Sequence, residues 1–362
     1  MSTTVSVPNN LVPDWEILYN GQNITNALHS SFKEIRYVEQ IGGKACELWM
    51  YFTDPLFAMQ NSPPVPGSLI TASIGYQGQS LYPAGTFQID SYLLEGPPDI
   101  FIVKCNEAGI TTPMRTLNSV AYEGKTLSQI AKQIAAKHGM TAITDAIQPD
   151  VQYDRMTQNQ ESDLSFLQRI ANEHGYEFQV RNNQLIFYSR ISLEQAPSSG
   201  TIDKLGSQVK RWRLENQTIG HRTHQASTIT YFDPNSKKVW TETQSDPNVV
   251  TSDHVKAVQR LENSQQAQVR AGAFLHEHNM LTLVGEIDLV GTMMYRARMT
   301  VNVKNFGVFD SIVWIVEKAE HLLNRQGYIT RLHIRTTLEG NKLKGKQALA
   351  PGYFSAPINS AG

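Results

Sequence analysis

Between Ile35 and Cys105, apolar residues alternate with polar ones or gather in short runs broken by Pro and Gly, which predicts strands. Glu47-Leu48-Trp49-Met50-Tyr51-Phe52 is rich in aromatics and is closed by Asp54-Pro55. Pro63, Pro64, Pro66 and Gly67 then lead into Leu69-Ile70-Thr71-Ala72-Ser73-Ile74, with turn glycines at Gly75 and Gly78. Phe87-Gln88-Ile89-Asp90 alternates as a half-buried strand does, and Ile100-Phe101-Ile102-Val103 follows Pro97-Pro98.

The period changes after Asn106. Leu127, Ile130, Ala131, Ile134 and Ala135 recur on one face of a helix. Thr126 with Gln129 fits a capping box, and Gly139 fits the C-terminal stop. A second helix is predicted from about Ser162 to His174, with Leu164, Leu167, Ile170 and Ala171 inward and Gly175 at its end. Tyr176 to Val180 and Leu185 to Tyr188 read as strands joined through Asn182-Asn183. The segment from Asn106 to Ser189 is thus a compact α/β module set between β regions.

Ala196-Pro197-Ser198-Ser199-Gly200 has the composition of a linker. Strand character resumes at Val209 and continues through Thr228 to Tyr231. Asp233 to Ser252 is polar, a loop or exposed hairpin. A helix is predicted from about Asp253 to His278, capped by Ser252, and Leu289 to Thr337 is β again. The expected fold class is α+β, mainly β. The expected division is 1–105 as an N-terminal β region, 106–195 as the inserted module, 196–338 as a second β region, and 339–362 as a loose tail or docking strand.

The two β regions share a gapped pattern. Gly67-Ser68, Phe87-Gln88-Ile89-Asp90 and Ile100 to Cys105 parallel Gly291-Thr292, Val313-Trp314-Ile315-Val316 and Ile329 to Arg335. Thr300 to Val303 and the turn Asn305-Phe306-Gly307 fall in the matching places. Residue identity is poor, and any antiparallel meander has this look, so duplication and plain meander both stay open. Two similar barrels per chain would give six in a trimer, and a trimer could then meet a sixfold ring.

Composition narrows the chemistry. The 362 residues carry 32 Lys and Arg against 33 Asp and Glu, a net charge of -1, so the basic excess of a phosphate-gripping protein is not there. Hydrophobic residues make up 40%, which is globular rather than disordered. Cys46 and Cys105 do not make a disulfide framework and sit where buried thiols usually sit. Met1-Ser2-Thr3-Thr4-Val5 lacks the features of a secretion signal. No apolar run approaches the roughly 18 residues of a membrane span.

The residue clusters do not add up to an active site. His276-Glu277-His278 has its histidines two apart, where zinc proteases need them four apart on a helix. They read as the polar end of a helix, cationic in its dipole, as do His138-Gly139 and His174-Gly175. His221, Arg222 and His224 lie in strand-like context. Lys210-Arg211-Trp212-Arg213 reads as a strand with the indole on one face and basic residues on the other. Lys342, Lys344 and Lys346 form a weak basic patch in the tail. The expected catalytic, metal and cofactor residues are therefore none.

The succession Glu123-Gly124-Lys125-Thr126-Leu127-Ser128-Gln129-Ile130-Ala131, then Gln158 to Leu167, then Ile170-Ala171-Asn172-Glu173-His174-Gly175-Tyr176 and Gln184-Leu185-Ile186-Phe187, resembles the late-control D family, the baseplate hubs of contractile phage tails. Gly307-Val308-Phe309-Asp310, Val313-Trp314-Ile315-Val316, His321 and Gly327-Tyr328-Ile329-Thr330 resemble that family's closing β segment. The likeness extends over Trp15 to Leu338. The family is similar in fold to the N-terminal hub region of type VI secretion spike proteins.

The resemblance implies two tube-protein-like β-barrels with an inserted α/β module, a homotrimer, and no enzymatic role. It implies docking to the tail tube on one side and the central spike on the other. Tape-measure protein and DNA would pass through the lumen, and other baseplate proteins would surround it. Its place would be the virion tail, assembled in the host bacterial cytoplasm without membrane insertion. The chain stops at Gly362 with no spike, β-helix or lysozyme-like region, so the spike is expected as a separate polypeptide. Lys125-Thr126-Leu127-Ser128-Gln129-Ile130-Ala131 also resembles the start of a peptidoglycan-binding LysM repeat. The alternative readings are accordingly a wall-binding tail module or a tail-associated cell-wall hydrolase.

Overall fold

The computed structural model describes residues 11–336, apart from 44, 110, 111, 145–149, 182, 217–223, 234, 235, 247, 248, 250, 251, 260, 281 and 282. The tail with Lys342, Lys344 and Lys346, the pair His221 and Arg222, Asn182, and the Met1 to Val5 segment lie outside the described residues.

The first β region comprises β1 (Pro13–Tyr19), β2 (Gln22–Asn23), the helical turn α1 (Thr25–Leu28), β3 (Phe32–Gln40), β4 (Glu47–Thr53), α2 (Ala58–Asn61), β5 (Leu69–Tyr76), β6 (Tyr82–Glu95) and β7 (Ile100–Glu107). There follow α3 (Thr112–Arg115), β8 (Leu117–Thr126), α4 (Leu127–Lys137), β9 (Thr141–Thr144), β10 (Gln152–Ser162), α5 (Asp163–His174), β11 (Tyr176–Arg181), β12 (Gln184–Ser189) and α6 (Arg190–Glu194). The rest is β13 (Thr201–Asp203), β14 (Val209–Asn216), β15 (Ala226–Asp233), β16 (Lys238–Ser245), β17 (His254–Gln259), α7 (Ser264–Asn279), β18 (Leu283–Val290), β19 (Thr300–Lys304), β20 (Val313–Asn324) and β21 (Gly327–Thr336).

Local chemistry sets the two module helices. The Thr126 hydroxyl accepts from the Gln129 amide while the Gln129 side chain accepts from the Thr126 amide, closing the capping box at the start of α4. Ser162 caps α5 through the Ser165 amide, and Gly175 ends it at φ 72, a conformation most other residues resist. Leu127, Ile130, Ile134, Leu167 and Ile170 share one core with Phe166, Phe178 and Phe187. Leu164 is only half-buried, and Phe166 fills the inward position instead.

Two expectations change. Residues 254–259 are a strand rather than the start of a helix: Val255 and Ala257 alternate inward with period two, and β17 pairs in parallel with β15. The helix begins only at Ser264, capped by Asn263 rather than Ser252. The polar stretch after Asp233 forms β16, the second arm of a hairpin with β15. α7 packs Ala267 and Ala271 against Ile229 and Tyr231 of β15. Cys46 and Cys105 are free and buried.

The remaining strands build one sheet in the order β14-β18-β21-β20-β3-β4-β7-β6-β5-β1-β2, with β19 beside β20 and β13 beside β19. It covers two apolar cores. Trp15, Ile17, Ile35, Tyr37 and Phe87 fill the first, joined by Leu323 and Tyr328 from the chain's far end. Ile287, Val301, Trp314, Leu332 and Ile334 fill the second.

Within this sheet the order β5-β6-β7-β4-β3 is repeated by β19-β20-β21-β18-β14, antiparallel throughout. Two of the irregularities coincide as well, while the slip of β5 against β6 between Ala72 and Ser73 has no counterpart between β19 and β20. β6 slips against β7 between Ile89 and Ser91, and β20 slips against β21 between Val316 and Lys318. β3 slips against β4 between Phe32 and Glu34, and β14 slips against β18 between Val209 and Arg211. Gly67 donates to the Ile89 carbonyl and Ser68 accepts from the Ile89 amide at 2.8 and 2.9 Å; Arg298 and Met299 do the same with Val316 at 2.9 and 2.8 Å. Two bulges at matching places in the same strand order argue for a repeated unit over a plain meander. The counterpart of Gly67 is Arg298, not Gly291; both take positive φ, 90° and 76°.

Candidate assembly interface

The two repeats meet where β20 pairs antiparallel with β3, from Lys318 opposite Gln40 to Asn324 opposite Glu34. On one face Arg36 reaches Glu320 at 3.3 Å, and Lys318 pairs with the same carboxylate. On the other, His321 stacks on Tyr37 with ring centroids 5.6 Å apart and bonds the Tyr328 hydroxyl at 2.9 Å. Burial pushes the His321 pKa down to about 4, so the ring is neutral at physiological pH.

Beside this joint lies a buried charge network. Glu39, at the end of β3, is fully buried and accepts from Arg296 Nε at 2.9 Å, from Arg181 at 3.3 Å and from the Tyr37 hydroxyl. Burial alone would raise the Glu39 pKa. The Arg296 hydrogen bonds and the charges of Arg296 and Arg181 outweigh it and hold the carboxyl at about 2. Arg296 comes from the loop before β19 and also lies over the Tyr82 ring, 5.2 Å from its centroid. Arg181 ends β11 of the module and reaches Glu107 at 3.5 Å. One carboxylate thus ties together both repeats and the module. The module is seated further by the Gly42 amide on Glu177 at 2.7 Å, and by Gln179 on the Cys46 sulfur at 3.4 Å. Gly43 lies against the Gln168 side chain at φ 71°, a left-handed conformation that favours glycine.

The histidines are not solvated helix ends. His276 is buried and bonds Glu194 at 2.9 Å, and Glu194 also accepts from buried Arg335 at 2.7 Å. His278 packs edge-on to His224 and Phe274, and burial lowers its pKa, against a cationic form. His174 donates from Nδ1 to the Ile170 carbonyl at 2.7 Å and meets the Tyr153 hydroxyl at Nε2; burial holds its pKa down to about 3. At His174 and His278 enclosure outweighs the helix dipole. His138 bonds fully buried Asp163 at 2.6 Å, and Lys137 and Gln158 share that carboxylate at 2.7 and 2.8 Å. Among the described residues no Ser, Thr or Cys hydrogen-bonds His138.

On β14, Trp212 packs edge-on to Phe306 while Arg211 pairs with Glu286 and Asp288 across the other face. Arg211 and Arg213 are thus each beside a carboxylate. Among the described residues no group of three His, Cys, Asp or Glu comes together as metal ligands. No described helix is long and apolar enough to cross a membrane. Sequence reasoning missed Glu39, Arg181 and Arg296; they carry no motif.

Residues 113–288 match the family described as phage tail baseplate hub (GPD). The chain is related to the phage tail baseplate hubs. The probable baseplate hub protein of Escherichia phage P2 is 26% identical over 184 residues, 51% of this chain and 47% of that protein. The chain thus matches about half the length of that hub relative. Among solved structures, the 43 kDa tail protein of prophage MuSo2 from Shewanella oneidensis has a TM-score of 0.68 at 14% identity, covering 89% of this chain and 98% of that one. A type VI secretion component from E. coli, described as similar to T4 tail proteins, has a TM-score of 0.54 at 12% identity, covering 85% and 74%. The chain therefore shares the fold of these structures, mainly β.

Proposed function

We propose that the chain is a non-enzymatic baseplate hub that joins a sixfold tail tube to a threefold central spike in a contractile particle, as a homotrimer. The observation that carries this is the duplication with coincident bulges. Two equivalent meanders in each of three chains present six similar surfaces, which is what a threefold body needs to seat a sixfold ring. On this reading the repeats form two tube-like barrel regions at 1–105 and 196–338. The module at 106–195 stands off the ring, and the segment 339–362 remains a tail. The lumen passes the tape-measure protein and DNA. The paired state of Arg211 with Glu286 and Asp288 suits a wall that does not hold phosphates.

Crosslinking mass spectrometry on intact tails tests the assignment. Crosslinks to tube protein should fall on Leu69 to Val103 and Val301 to Arg335. Crosslinks concentrated on Asn106 to Ser189 would sink it.

A further inference from the structure

We propose that copies of this chain join edge to edge, with β6 of one copy pairing antiparallel with β14 of the next. The register is the one that β20 and β3 display inside the chain. The proposal rests on the hub reading and supplies the contact by which the copies associate.

The duplication makes β6 the counterpart of β20, and β14 the counterpart of β3. Inside the chain the β20–β3 joint covers both strands: Ala319, His321, Ile35 and Tyr37 are each 0% exposed. Aligned through the shared bulges, the counterparts of Ala319 and His321 are Tyr92 and Leu94, which are 40% and 51% exposed. The counterpart of Ile35 is Trp212, 44% exposed, and that of Tyr37 is Leu214, half-buried. The same apolar edge is therefore closed once and left bare once, on both of its sides.

β14 ends the sheet, and β6, paired with β5 as far as Gln88, has an open edge only beyond Ile89; six strands separate the two. A second copy brings the two edges together as simply as the internal joint does. An uncovered strand edge with apolar side chains is a template for such pairing.

Transferring the internal register sets Leu94 opposite Leu214 and Glu95 opposite Arg213 of the next copy. The first is an apolar pair and the second an ion pair, both favourable across antiparallel strands. The Arg213 side chain is 78% exposed and lies beside Glu215 of its own strand at 3.0 Å. A slip of one residue would turn Leu94 toward a charged neighbour and reverse every face.

The test mixes two full-length variants, Leu94→Cys and Leu214→Cys, at high protein concentration under mild oxidation. The native thiols are buried and do not compete. The mixture should give a disulfide-linked pair that neither variant gives alone. Tyr92→Cys mixed with Leu214→Cys, two residues out of register, should give several-fold less. Native mass spectrometry on the same samples counts the copies. Copies that associate without the 94–214 disulfide would overturn the pairing and leave the hub reading intact. A chain that stays single at every concentration would overturn the pairing, and one that stays single with its spike present would overturn the hub reading too. Glu95→Arg should weaken association several-fold, and adding Arg213→Glu in the same chain should restore it; no restoration would count against the register.

Discussion

Replacing Arg296 by Met should destabilise the β body by about 3 kcal/mol at neutral pH. The substitution keeps much of the side-chain volume and removes the guanidinium that donates to Glu39 at 2.9 Å. Glu39 has no exposed surface, so its charge loses its strongest partner without gaining water. Removing one member of a buried pair typically costs about 3–5 kcal/mol. Linkage gives a similar size. The Glu39 carboxyl falls from an ordinary 4.5 to about 2. At about 1.4 kcal/mol per pKa unit, that is about 3 kcal/mol. Arg181 and Tyr37 remain as partners, which favours the lower end.

The sign of the pH dependence follows. A depressed carboxyl contributes stability that is present above its unfolded value near 4.5 and is lost as pH falls toward 2. The gap between the native chain and Arg296→Met should therefore be full at pH 7 and shrink by about half by pH 3. Urea unfolding followed by tryptophan fluorescence reads it, since Trp15 and Trp314 lie buried in the two β cores. A loss below about 1 kcal/mol at pH 7, or one unchanged at pH 3, would refute the reasoning that this carboxylate locks the repeats.

Three further outcomes follow from the packing. Ile134→Asp places an unpaired carboxylate where the native side chain is 1% exposed; it should cost more than about 4 kcal/mol and remove hydrogen-exchange protection from α4 and α5, while β18 to β21 stay protected. His174 is neutral in the fold with a pKa of about 3 against an ordinary 6.5, so its contribution is present above pH 6.5 and is lost as pH falls toward 3; His174→Gln should flatten the loss of melting temperature between pH 6 and pH 4. His276→Ala removes a partner from buried Glu194 and should cost about 1–3 kcal/mol in urea unfolding, more than His278→Ala, whose ring makes only edge contacts.

What could be read from sequence was what local chemistry decides. The capping box at Thr126 and the glycine stop at Gly175 lie within a few residues of what they control, so α4 and α5 stood out. β8 and β10 form a two-stranded ribbon of largely exposed, polar residues, and no apolar period announces them. β17 was hidden because its alternation spans only six residues before a true helix. The charge network was illegible for another reason: Glu39 meets Arg181 and Arg296 across 142 and 257 positions of chain. The repeat was visible in its order of strands. Its alignment was misplaced because the backbone turn made by Gly67 is made by Arg298 in the second copy, where no sequence signal marks it.

The two repeats have diverged in what interrupts them, and the interruptions lie together. After β7 the chain departs into the α/β module. Between β14 and β18, where the first repeat has only the short step from Gln40 to Glu47, it departs again into β15 to β17 and α7. These two excursions pack on each other: Glu262 accepts from the Asp154 amide at 2.8 Å, Arg270 reaches Glu173 at 3.1 Å, and a Cβ at Gly175 would lie 3.2 Å from Ala273. The two long excursions are thus gathered into one mass, held to the sheet by Glu177, Glu194 and Glu39. The duplicated strands can then follow one symmetry while the unique mass follows another. On the proposed reading, a body that seats a sixfold ring and a threefold spike needs that separation, and the buried carboxylates sit where the two parts meet.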